Sequence, residues 1–260
     1  MKTYQTLLTE IKAEILLLTV NRPDKMNALS TTVLSELKDV MTNLPTNIRG
    51  ILLTGAGEKA FIAGADIEGM NSMTPDEAEK FSHLGQEVPQ LFDHAPVPII
   101  ACVNGYALGG GCEMAMGCDF IYATDKAHFG QPEVNLGLIP SFGGTQRLMR
   151  YVGKGASREI IYTGKIIKAD EALRLGLVVR IFGSKEEMIQ AALATLETIK
   201  SKSPLTITKC KEVMSNGSDT TLEAGLEAER AAFKFVFGTE DKKEGVQAFL
   251  EKRKPNFTGK

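Results

Sequence analysis

Short, nearly unbroken apolar runs recur through the first half of the chain and alternate with amphipathic stretches. That is the pattern of strands buried on both faces, interleaved with helices. Ile15 to Val20 is the first such run, closed by Asn21-Arg22-Pro23-Asp24. Ser30 then reads as an N-cap, and Val33, Leu34, Leu37, Val40 and Met41 follow at helical spacing. Ile51-Leu52-Leu53 predicts a second buried strand and Pro96 to Val103 a third, whose prolines fall at its start, where a missing donor is tolerated. Between them, residues 70–95 read as an adaptable loop and a helix begun near Pro75. Phe120 to Tyr122 and His128-Phe129 predict further short strands. Helices are expected at Gln146–Tyr151, Ser157–Tyr162 and Ala169–Leu175, with a strand at Leu177–Ile181. From Lys185 nearly everything reads as helix, ending in Lys252-Arg253-Lys254. The pattern is α/β in front and helical behind, with no linker between them, so one catalytic core carrying a helical extension is expected.

Composition narrows the class. The chain has 260 residues, 43% hydrophobic and 24% charged, with a net charge of −2. That balance fits an ordinary globular protein and argues against nucleic-acid binding by bulk charge. Four cysteines without C-x-x-C spacing and only three histidines argue against a zinc site or a disulfide scaffold. Met1 to Glu10 has neither a signal-peptide core nor a transit composition, and no apolar run approaches the roughly 18 residues of a membrane span. A cytoplasmic setting is expected, with no metal and no membrane.

Two glutamates carry the candidate chemistry. Glu113 follows the run Gly109-Gly110-Gly111-Cys112, and Glu133 lies in Phe129-Gly130-Gln131-Pro132-Glu133, ahead of Gly137 to Gly144. Taken singly, Glu113 reads more readily as a carboxylate favoured near a helix start than as a catalyst, and Glu133 also reads as a loop hydrogen-bonder. Together, among small and apolar residues, burial would raise both pKa values, a common arrangement for acid and base chemistry near neutral pH. The glycine run is neither a Walker loop nor a Rossmann fingerprint. It is either a tight turn or a set of helix-start amides aimed at developing negative charge. Ala60 to Ile67 is a second candidate donor loop.

Segments 104–119 and 129–148, with Ala63-Gly64-Ala65-Asp66, resemble the enoyl-CoA hydratase (crotonase) family. So do Asn21-Arg22-Pro23, Asn27-Ala28-Leu29, Ala169-Asp170-Glu171-Ala172 and Ala248 to Lys254, so the likeness runs over almost the whole chain. The resemblance implies a spiral of repeated ββα units over residues 1–200, with a helical trimerisation region over 201–260. It implies a trimer or dimer of trimers, an acyl-CoA thioester as substrate, and no cofactor, since coenzyme A is part of that substrate. It places two carbonyl-binding backbone amides on Ala65 and Gly110. The catalytic pair falls on Glu113, as base toward water, and Glu133, as acid. Lys25, Ala28, Ala63, Asp66, Ile67, Phe249 and Lys252 match positions that contact substrate or coenzyme A, Phe249 and Lys252 in a neighbouring subunit.

Two departures from the family pattern qualify this. Glu68-Gly69 stands where many hydratases carry lysine after the Ala65-Asp66-Ile67 loop, which removes one phosphate partner. Ser141 replaces a frequent glycine, and it argues against the chemistry of related dehalogenases, whose aspartate nucleophile matches that position. The implied activity is syn hydration of a trans-2-enoyl-CoA. The nearest rival is Δ3-Δ2 enoyl isomerisation, which chiefly uses the residue at position 133 and is disfavoured by Glu113. A non-catalytic binding module is disfavoured by both glutamates and by the lack of a basic stripe.

Overall fold

The chain begins with an antiparallel hairpin, β1 (Leu7–Lys12) and β2 (Ile15–Val20), joined through Ala13 and Glu14, both at positive φ. The structure is a computed structural model that describes residues 2–260. α1 (Thr31–Thr42) starts where Ser30 accepts a hydrogen bond from the Val33 amide, and it buries the five residues that the spacing singles out.

Three successive ββα turns follow. The first is β3 (Gly50–Gly55) and β4 (Ala60–Ile62), the short helix α2 (Ile67–Met70), and α3 (Pro75–Asp93) behind a Thr74/Glu77 capping box. The second is β5 (Ile99–Val103), β6 (Tyr106–Leu108) and α4 (Gly110–Met116). The third is β7 (Phe120–Thr124), β8 (His128–Gly130) and α5 (Gly144–Thr163). The first strand of each turn joins one sheet and the second strand joins another, each sheet parallel except for one antiparallel edge pair. With β9 (Ile166–Lys168), α6 (Ala169–Arg174) and β10 (Arg180–Phe182), the two sheets run β1-β2-β3-β5-β7-β10 and β4-β6-β8-β9. This is the spiral of repeated ββα units.

Burial explains why the strands lack polar alternation. Ile51 and Leu53 face the main core, and Leu52 faces the other side, with Ile100 and Tyr122, against α7 (Lys185–Lys200). α8 (Pro204–Gly217), α9 (Leu222–Phe237) and α10 (Glu240–Leu250) complete the chain.

Two sequence expectations shift. The last strand of the six-stranded sheet is Arg180–Phe182, and the buried Leu177 and Val178 pack as loop. The two helices expected across 146–162 are parted within Gly144–Thr163 by a non-helical Gly153 (φ 76°, ψ 167°), as the sequence predicts. The tail helix ends at Leu250, and Lys252 turns to φ 56°. No helix among the described residues is long and apolar enough to cross a membrane.

Candidate active site

The four-stranded sheet sets the geometry. β4, β6 and β8 run parallel, Ala60 opposite Tyr106 and Leu108 opposite Gly130. Each strand releases one functional segment from its carboxyl end: Ala63–Asp66, Gly109–Glu113 and Gln131–Glu133. Ligands of parallel α/β sheets sit outside such ends.

The two candidate amides are held beside each other by close backbone packing. Ala65 is bridged to Leu29, whose amide donates to the Gly64 carbonyl and whose carbonyl accepts from the Asp66 amide, each at 2.8 Å. α4 begins so near β4 that a Cβ on Gly111 would stand 1.8 Å from the Ile62 carbonyl oxygen. Gly109 adopts φ 49°, ψ −123°, a conformation open to glycine alone in practice, and this lets Gly110 open the helix. Among the described residues, the N–H groups of Ala65 and Gly110 make no hydrogen bond. At Gly110 that is the orphan donor of a helix start.

Glu113 is 1% exposed. Its Oε1 accepts from the Phe142 amide at 2.8 Å and the Gly144 amide at 2.5 Å. The loop supplying those donors is tied to α3, where Ser82 Oγ and Gln86 Nε2 donate to the Ser141 carbonyl, and Phe142 packs edge-on to Phe81. Burial pushes the Glu113 carboxyl up to about 8; the Gly144 amide pulls against it, and the neighbouring Glu133 charge adds to it. Glu133 opens a 3-10 turn after Pro132 and is half-buried, and desolvation raises its carboxyl too. Its Oε1 lies against Gly109, 2.7 Å from where a Cβ would be.

One member of this cluster gave no signal in the sequence. Gln131 is fully buried, and with its amide nitrogen turned toward Glu133 it donates to Oε1 at 3.1 Å and Oε2 at 3.3 Å. Nothing in the chain pattern marks it, because its burial comes from the close approach of Gly144. Cys112 lies among the same groups, and burial pushes its thiol up to about 12, which disfavours the thiolate.

The remaining expected contact residues divide. Ala28 and Ala63 lie on the segments that frame the Ala65 loop, through Arg22 Nη1 to the Ala28 carbonyl (2.6 Å) and the Ala63 amide to the Met26 carbonyl (3.1 Å). Asp66 is held by Arg22, and Ile67 is exposed at the start of α2. Lys25 is paired with Glu68 at 3.1 Å, the residue that departs from the family pattern. Phe249, near the end of α10, is 82% exposed, and no hydrogen bond among the described residues ties it or Lys252 to segment 104–144. No group of three or more metal-ligating side chains gathers among the described residues.

The ββα spiral places the protein in the crotonase-fold class, with two neighbouring glutamates and two unengaged amides on the segments that leave the four-stranded sheet. The sequence signature of the enoyl-CoA hydratase/isomerase family matches residues 10–260, and the chain belongs to that family. It is 44% identical to the crotonyl-CoA hydratase of Syntrophomonas wolfei over 99% of both chains. It is 43% identical to the short-chain-enoyl-CoA hydratase of Clostridium acetobutylicum over 94% of both. The solved enoyl-CoA hydratase of Bacillus anthracis superposes with a TM-score of 0.95 at 38% identity, covering 98% of this chain and 100% of that one.

Proposed function

We propose that the protein adds water across the double bond of a short trans-2-enoyl-CoA, yielding the 3-hydroxyacyl-CoA, and catalyses the reverse dehydration. The observation that carries this reading is the juxtaposition of Glu113 and Glu133, both with raised carboxyls, with two amides that have no partner. The amides of Ala65 and Gly110 would donate to the thioester carbonyl oxygen as negative charge develops on it. One such donor contributes about 2.7–4 kcal/mol to lowering a barrier. Glu113, fixed on one oxygen by two backbone donors, would take the proton from water as it attacks C3. Glu133 would deliver a proton to C2. The pair must therefore hold one proton between its two members, and burial next to each other favours that state. Coenzyme A is part of the substrate, and the reaction needs no other cofactor. A short acyl chain is supported by the names of the two relatives above.

Assembly belongs to the same proposal. Leu222, Phe233 and Phe237 of α9 and Phe249 and Leu250 beyond it are all more than half exposed, an apolar surface beyond what a monomer keeps. We propose that it is covered in a trimer or dimer of trimers, where Phe249 and Lys252 would meet a neighbour's ligand.

Product analysis tests the reaction class. Incubation with trans-2-crotonyl-CoA in ¹⁸O-water is expected to give a 3-hydroxybutyryl-CoA carrying the label at C3. Conversion of a 3-enoyl-CoA to its conjugated isomer, without label uptake from the 2-enoyl substrate, would replace this reading with isomerisation.

A further inference from the structure

The Ala65 loop is gripped by a device that catalysis as described above does not use. Asp66 stands at the N-cap of α2, where an aspartate ordinarily accepts a hydrogen bond from its own helix, yet its side chain makes none. Its carboxylate is taken instead by Arg22 Nη2 at 3.0 Å, from a segment 44 residues earlier. The other arm of the same guanidinium, Nη1, holds the Ala28 carbonyl at 2.6 Å. Asp66 follows Ala65 directly and Ala28 precedes Leu29 directly, so one guanidinium closes both sides of the Leu29–Ala65 bridge. Both side chains are about one-fifth exposed, which spares the pair part of the solvent screening that weakens surface ion pairs.

The base of the arginine is fixed with equal care. Its backbone amide donates to Asn27 Oδ1 at 2.9 Å, and Asn27 Nδ2 donates to the carbonyls of Ala56 and Ala60 at 3.0 and 2.9 Å. Asn27 and Met26 both take left-handed φ values, 58° and 53°, a conformation that costs free energy at non-glycine residues and persists only where the surroundings over-determine it. Lys25 and Glu68 make an outer, exposed rung between the same two segments, worth little by itself.

We propose that Arg22 and Asp66 form a latch that sets the direction of the Ala65 N–H, making Arg22 a positioning residue for polarisation of the thioester carbonyl. This rests on the reading of Ala65 as a carbonyl-binding amide. A planar guanidinium can bridge a carboxylate and a carbonyl at once, whereas a lysine ammonium can reach only one of them well.

The test is the infrared carbonyl stretch of ¹³C-labelled butyryl-CoA, a saturated and therefore unreactive thioester, bound to wild type, Arg22→Gln, Arg22→Lys and Asp66→Asn. Steady-state kinetics on crotonyl-CoA accompany it. Wild type is expected to lower the stretch on binding, and Arg22→Gln to lose at least half of that shift. In Arg22→Gln, kcat should fall about tenfold or more while KM stays within about threefold. Arg22→Lys should be intermediate. The near-isosteric Asp66→Asn keeps the test decisive if Arg22→Gln does not fold. A variant with the wild-type shift and wild-type kcat overturns the latch while leaving the carbonyl-binding reading intact. A raised KM with unchanged kcat also overturns it, assigning Arg22 to ligand binding. The absence of any shift in wild type overturns the carbonyl-binding reading, and the latch with it.

Discussion

Glu113 is a carboxylate held in a place that opposes its charge, and that opposition gives two measurable consequences. If the active state carries one proton on the pair, kcat/KM follows a bell. It falls on the acid side as both members protonate, and on the alkaline side above about pH 8 as both ionise. A rate that keeps climbing beyond pH 9 would contradict this. Stability responds as well. Between the ordinary glutamate value of 4.5 and about 8, the folded protein keeps a proton that the unfolded chain has released. The stability from this group is therefore fully present below pH 4.5 and drains away as pH rises through about 8, at up to about 1.4 kcal/mol per pH unit. Glu113→Gln can still accept from the Phe142 and Gly144 amides and has no such loss. Its melting temperature should exceed that of wild type by a margin that widens from pH 5 to pH 8 and then levels off. A margin independent of pH would show that burial is not what raises this carboxyl. Both glutamates are legible in the sequence because glycines surround them, whereas Gln131 is not, because tertiary approach alone buries it.

At the scale of elements, continuous apolar runs revealed β2, β3 and β5, since strands buried on both faces carry no other signal. The three-residue strands β4, β6 and β9 are too short for any periodicity, and β1 shows mostly solvent-facing residues. The site depends on β4, β6 and β8, and of these only β8 showed in the sequence, at His128-Phe129. The docking of α8 onto the spiral was equally hidden. Lys211, 8% exposed, donates to the Phe92 and Val97 carbonyls and to Asp119 Oδ2 at 2.8–3.0 Å. Lys211→Met would leave the Phe92 and Val97 carbonyls and Asp119 without this donor and should cost about 1–3 kcal/mol, read from denaturant unfolding. Adding Asp119→Asn should recover part of that loss. If the double variant were no more stable than the single one, the ion pair would not be what anchors α8.

At the scale of the molecule, the ββα spiral followed from family resemblance more than from pattern, because period-two and period-3.6 signals identify elements without showing how three turns stack. The helices beyond residue 200 present a surface that the spiral does not cover. Light scattering is expected to give three or six times the 28.2 kDa of one chain. Phe233→Asp, on the exposed face of α9, should shift the mass toward the monomer. A monomeric wild type would remove the assembly proposal and require another explanation for the apolar face.

The most direct test of the two-carboxylate hydratase is the ultraviolet absorbance of crotonyl-CoA mixed with purified protein. Wild type is expected to bleach the conjugated thioester band, and Glu113→Gln and Glu133→Gln each to slow that loss by at least about 10²-fold. A wild type inert toward both short and long enoyl-CoAs, or a Glu113→Gln variant with full activity, would contradict the account.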